Sequence, residues 1–229
     1  MTKRLLLAAL SALALSPAMG AAPKKPVAVA PAPLPDVVRV ALTTEAGTIV
    51  LDLDHKNAPL TVENFVRYVD QKRFDGIVFY RVMRLAWGPQ PNGLIQAGAR
   101  GDPKRVLKPV AHEPTSQTGI LHKAGTISMA RLAPGTATAD FSILIADMPG
   151  LDAGTNPNDP AGYAAFGHVV EGMDVVKKIY DMPLDPVKGE GFMKGQFLAK
   201  ELKVVSVRRI KIPDAPVVPP AAPAVSPKG

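Results

Sequence analysis

The chain has 229 residues, a formal net charge of +7, 24 prolines, one tryptophan and no cysteine. The missing cysteine excludes disulfides, thiol catalysis, thiolate metal sites and a cysteine-linked lipid anchor. Basic residues are scattered from Arg67 to Arg209 without a long like-charged run or interleaved aromatics, which describes a solvated basic surface and no nucleic-acid platform.

The chain opens with Lys3 and Arg4, an apolar run from Leu5 to Leu15, and Ala18-Met19-Gly20 before Ala21. This is the pattern of a signal peptide over residues 1–20, and it predicts a periplasmic or secreted mature protein. The run is too short to span a bilayer and no later run is long enough, so no integral membrane segment is expected after cleavage. Pro23, Pro26, Pro31, Pro33 and Pro35 mark residues 21–36 as an extended linker, and Pro213 to Pro227 mark residues 213–229 as a Pro/Ala-rich disordered tail. A single domain is expected between them, over residues 37–212, with nothing in it that demands more than a monomer.

Within that domain, Val38, Val40 and Leu42 alternate on one strand and Ile49, Leu51 and Leu53 on its partner, with a turn at Glu45-Ala46-Gly47. Asn57 to Asp70 predicts a helix. Pro59 suits its first turn, and Val62, Phe65, Val66 and Val69 form one apolar stripe. Asp75-Gly76 turns into a strand from Ile77 to Met83, on which period-two alternation puts Ile77, Phe79 and Arg81 on one face. Short strands are expected at Leu94–Gly98, Gly125–Arg131, Asp140–Ala146, Ala164–Val170 and Leu202–Ile210, and a second helix at Gly172–Tyr180. The stretches between them are read as loops, including Leu85–Gly93, Ala99–Leu121 and Met148–Gly162. The fold class is therefore mainly β. Eight short strands that do not alternate with helices predict a closed antiparallel barrel capped by two helices, which removes sheet edges and buries both helical stripes.

Six stretches carry a more specific signal: Ala58–Phe65, Tyr68-Val69-Asp70, Phe74–Val82, Ile95-Gln96, Ile127-Ser128-Met129-Ala130 and Phe166–Met173. In this order the chain resembles the cyclophilin family of peptidyl-prolyl isomerases, from Val37 to about Ile210. The resemblance implies rotation about Xaa-Pro amides in proline-containing unfolded or loop segments, here of exported proteins, with no cofactor and no metal. It matches Arg81 to the family's catalytic arginine and Gln96 to its pocket glutamine. It places Phe79, Leu94, Met129, Ala130, Arg131, Asp140, Leu151 and Tyr163 at the substrate.

The chain also departs from the family pattern. The spacing between Arg81 and Gln96 is longer, and Asp140 and Ser142 stand where the family carries a glutamine and a pocket phenylalanine. Either Trp87 or Leu85 folds down from the longer loop to replace lost apolar surface, or Trp87 packs on the outside. If Asp140 faces Arg81, an ion pair competes with the substrate. His55, His112, His122 and His168 lack metal-ligand spacing, and Ser128 and Ser142 lack the context of a nucleophile elbow. Two other readings stay open: a peptide-binding module of the same fold with weak or no turnover, and a barrel that holds a small apolar ligand inside.

Overall fold

The computed structural model describes residues 33–212. The expected signal peptide, most of the linker and the tail lie outside them. The strands are β1 (Val37–Thr44), β2 (Gly47–Asp54), β3 (Val78–Arg84), β4 (Gly93–Gly98), β5 (Thr126–Met129), β6 (Phe141–Leu144), β7 (Ala165–Glu171), β8 (Leu184–Asp185) and β9 (Phe197–Arg209). Eight of them pair antiparallel in the order β1-β2-β7-β5-β6-β4-β3-β9, and β9 returns to β1 to close the ring. The two-residue β8 lies along β9 outside the ring.

The alternation read in the sequence is what closes the barrel. Val38, Val40 and Leu42 of β1 and Ile49, Leu51 and Leu53 of β2 are buried in the core. Inside, Ile95, Ile127, Phe141, Ile143 and Val204 are fully buried. Phe65 packs against Phe74, Phe141 and Phe166 at centroid distances of 4.7, 5.4 and 5.4 Å. Burying each such side chain stabilises the fold by roughly 1.5–3 kcal/mol. The interior is a packed core, which disposes of the reading that the barrel holds an apolar ligand.

Helix α1 (Pro59–Asp70) has proline at its first turn and buries Val62, Phe65, Val66 and Val69, together with Tyr68. It follows the end of β2 and meets the starts of β6 and β7 through Phe65. Its N-terminal amides donate to the buried Glu113 carboxylate, Leu60 N at 3.2 Å and Thr61 N at 2.7 Å, a placement the positive end of a helix favours. Helix α3 (Met173–Tyr180) follows β7 at the opposite pole and buries Val175, Val176 and Ile179. Val175 closes over Gly47 at the β1–β2 turn.

The structure adds to the expected elements. A one-turn helix, α2 (Thr115–Thr118), lies in a stretch read as loop, so there are three helices among the described residues and not two. Strand β9 begins at Phe197, ahead of the expected Leu202. The last linker residues are tied to the domain: Leu34 packs on the core, and the Asp36 carbonyl accepts from Lys56 N at 3.0 Å. No helix of the described residues is long and apolar enough to cross a membrane.

Candidate active site

One cross-strand row organises the outer face of the barrel. Arg81 of β3 sits opposite Gln96 of β4, Gln96 opposite Ser142 of β6, and Ser142 opposite Ser128 of β5. The next row, Val82, Ile95, Ile143 and Ile127, points inward and is fully buried. A sheet with period-two alternation must therefore present the four polar side chains together on the outside. The following outward row, Met83, Leu94 and Leu144, joins Leu85, Met148 and Leu151 in an apolar cluster separate from the core.

A β-bulge sets the aim of Arg81. The register of β3 shifts between Phe79 and Arg81, so Tyr80 is the extra residue. Phe79 then faces inward, fully buried, with its ring 6.4 Å from that of Phe141. The expectation that Phe79 shares a face with Arg81 and touches substrate is corrected by this bulge, which breaks the alternation between them.

The cavity over the row has a volume of about 600 Å³. It is lined by Arg81, Gln96, Leu94, Met129, Ala130, Arg131, Asp140, Leu151 and Tyr163, so the other site residues expected from the sequence converge there. Ser128 and Ser142 line it too, as do Tyr80, Leu132, Phe192 and Met193, which the sequence reading did not single out. Trp87 is 66% exposed and lies off the cavity, while Leu85 backs the wall formed by Leu94. An aromatic ring from another element does line the cavity: the 3-10 turn Gly191–Met193, between β8 and β9, sets the Phe192 ring 5.7 Å from the Arg81 guanidinium carbon.

Arg81 is held by two amides. Its Nη1 donates to Gln96 Oε1 at 2.8 Å, and its Nε and Nη2 donate to Gln196 Oε1 at 2.9 and 2.6 Å. Gln196 is oriented by its own Nε2, which donates to the Phe192 carbonyl at 2.7 Å. Burial pushes the Arg81 pKa below its ordinary value, yet an arginine keeps its charge in such a site. No carboxylate forms an ion pair with it among the described residues.

The condition for Asp140 to compete for Arg81 is not met, because its carboxylate is engaged otherwise. Tyr80 Oη donates to its Oδ1 at 2.9 Å, and the Arg100 amide donates to both oxygens at 3.2 Å. The absent side chain of Gly98 makes this possible: a Cβ there would lie 2.5 Å from Asp140 Cα, and φ is +153°. Burial raises the Asp140 pKa, and burial together with the Asp140 charge raises that of Tyr80, so the phenol remains a donor. Arg131 is likewise committed, with Nη2 donating to Asp159 at 2.7 and 2.9 Å and to the Gly162 carbonyl, and its guanidinium 4.4 Å from the Tyr163 ring centroid.

Behind Ser128 lies a buried polar chain. His122 Nδ1 is 2.7 Å from Asp152 Oδ1, and His122 Nε2 is 2.8 Å from Ser128 Oγ. Burial lowers the His122 pKa against the opposing pull of Asp152, so the ring is neutral, donating from Nδ1 and accepting from the serine at Nε2. Ser128 is 2% exposed and hydrogen-bonded to the histidine, so the three side chains tie β5 to the loop that carries Leu151. Residue spacing gave no hint of this group, because Asp152 arrives from a distant loop.

A separate open recess of about 640 Å³ lies beside the Leu85–Pro91 loop. Its Arg84 guanidinium is taken up by the carbonyls of Tyr180 and Met182 at 2.6 and 2.9 Å. No group of three or more metal-ligating side chains occurs among the described residues.

Comparison with known proteins agrees with this architecture. The family model for cyclophilin type peptidyl-prolyl cis-trans isomerase/CLD matches residues 39–208. The chain is 36% identical to peptidyl-prolyl cis-trans isomerase A of Dickeya dadantii, over 82% of this chain and 89% of that one. It is also 36% identical to peptidyl-prolyl cis-trans isomerase cyp18 of Streptomyces antibioticus, over 65% of this chain and 93% of that one. In fold it is similar to the crystal structure of a Cryptosporidium parvum cyclophilin, with a TM-score of 0.58 at 17% identity, covering 77% of this chain and 99% of that one. The chain belongs to the cyclophilin-type peptidyl-prolyl cis-trans isomerases, and its activity is rotation about the peptide bond that precedes proline.

Proposed function

We propose that Arg81 and Gln96 carry this isomerisation, on proline-containing unfolded or loop segments of exported proteins in the periplasm or outside the cell. The observation that carries the reading is the adjacency of Arg81 and Gln96 on one outward row, with the guanidinium half-buried and bonded only to neutral amides. Twisting an Xaa-Pro amide frees the nitrogen lone pair. A fixed cation beside that nitrogen therefore binds the twisted state more strongly than either planar one. The uncatalysed barrier is about 20 kcal/mol, and no bond is broken in crossing it, so no nucleophile is needed. Gln96 would hold the substrate backbone on one side while the other side turns. Leu94, Met129, Leu151 and Tyr163 supply the apolar surface for the ring.

The export reading rests on the N-terminal pattern from Lys3 to Gly20, which lies outside the described residues. It is tested by fusing residues 1–30 to a reporter that is active only after export. Retention of that fusion in the cytoplasm would overturn the localisation and leave the chemistry standing. The chemistry is tested by isomerisation of short Xaa-Pro peptides. Arg81→Ala is expected to lose about 100-fold or more in kcat/KM, the scale of removing one placed charge donor from a site. Arg81→Ala matching the parent would remove Arg81 from the mechanism. Absence of turnover in a folded parent would favour the binding-module reading, for which the Gln196 oxygen occupying two Arg81 donors is the structural ground.

A further inference from the structure

Two apolar side chains in this domain are conspicuously out of place. Leu132 is 93% exposed and Phe192 is 78% exposed, the highest values for large hydrophobic residues among those described. Both line the same cavity. They also stand at its opposite margins. Leu132 follows β5, Phe192 precedes β9, and the strand order between them is β5-β6-β4-β3-β9. These are four strand steps round the ring of eight, so the two side chains meet different residues of a bound segment.

The turn that carries Phe192 is fixed by its own backbone. Met193 N donates to the Glu190 carbonyl at 3.1 Å, Gly195 N to Lys188 at 2.9 Å and Gln196 N to Met193 at 3.1 Å. Gln196 then ties the turn to Arg81 through its side chain. The ring is thus presented at a set height beside the catalytic candidate, with most of its surface in water. Exposed large apolar surface concentrated at a groove is the signature of a site that is covered when occupied.

We propose that Phe192 is a specificity-determining residue, selecting chains with a large apolar residue directly next to the proline, and that Leu132 takes a second apolar residue further along the same extended segment. The proposal rests on the reading that this groove takes proline-containing chains through Arg81. It names the substrate class as apolar segments of unfolded protein. Phe192 sits 5.7 Å from the guanidinium, so it meets a residue adjoining the proline, whereas Leu132 lies several strands away.

The test uses the full mature chain and two peptide series. One varies the residue before proline through Ala, Lys, Glu, Leu and Phe, and the other varies the residue after it in the same way. The parent is expected to prefer Leu and Phe in one of the two series. Phe192→Ala is expected to lower kcat/KM by about tenfold for those members and by less than about twofold for Ala, Lys and Glu, as loss of one ring face from an apolar contact requires. Leu132→Ala is expected to leave that preference in place. The melting temperature of Phe192→Ala should match the parent, because the ring covers little of the fold. An equal loss across both series, or no loss in either, overturns the proposal. If the parent turns over no peptide, the isomerase reading of the site fails. The proposal is then judged on fluorescence-anisotropy Kd values for the same peptides: an apolar-selective loss upholds it, and a uniform one overturns it.

Discussion

Gln196 Oε1 accepts two hydrogen bonds from Arg81, at 2.9 Å from Nε and 2.6 Å from Nη2. The acceptor is neutral, so the guanidinium is oriented and its charge is left available. Gln196→Glu keeps the size and the acceptor for Arg81, adds a negative charge and gives up the donor to the Phe192 carbonyl. It should lower kcat/KM by about 10- to 100-fold at neutral pH, with activity recovering as the new carboxyl is protonated. Gln196→Ala should cost less, about fivefold, through lost positioning alone. A pH–rate profile of the two variants separates the effects.

Asp140 is a latch on Tyr80 and on the Arg100 amide, not a partner of Arg81. Asp140→Gln is therefore expected not to raise activity. Asp140→Ala leaves the buried Tyr80 hydroxyl without its acceptor and should cost about 1–3 kcal/mol, measured by denaturant unfolding.

Gly98→Ala tests the same latch from below. Its added Cβ would fall 2.5 Å from the Asp140 Cα, on a backbone with φ of +153°. The substitution should destabilise the domain by about 1–3 kcal/mol and displace the Asp140 side of the cavity, seen as a lower melting temperature and a raised KM.

The pKa of His122 is lowered by burial, more than the Asp152 contact raises it. Below about 6.5, the unfolded histidine value, the unfolded chain binds a proton that the folded one refuses. Stability should then fall as pH falls from about 7 toward the lower folded value, with a slope of up to about 1.4 kcal/mol per pH unit. His122→Gln should flatten the melting-temperature profile in that window. An unchanged profile would mean that His122 is not the titrating group.

The barrel was legible because its strands alternate cleanly: β1, β2 and α1 follow from Val38, Leu51 and Phe65 by period alone. Arg81, Gln96 and the apolar wall followed from resemblance, which points to positions without giving orientations. Three features escaped for distinct physical reasons. The bulge at Tyr80 inserts one residue into a strand that still reads as regular, so alternation alone places Phe79 on the wrong face. The partner of Arg81 comes from the far end of the chain, at Gln196, and nothing local in Gly189–Gly195 says over which strand that turn will lie. Which aromatic stands beside the site is also invisible locally: Trp87, the obvious candidate, lies off the cavity, and Phe192, from a different element, lines it.

The pairing of Val40 with Arg209 has a consequence for how the chain is made. The first strand cannot close the ring until the last one exists. Until then β1 and β3 each offer a bare edge with an incomplete hydrophobic interior beneath, a species prone to pair with other chains. Such long-range closure is slow, and almost the entire domain must be available before it begins. A protein whose activity is to hasten a slow step in other chains is thus itself built to finish late, on the arrival of its final strand.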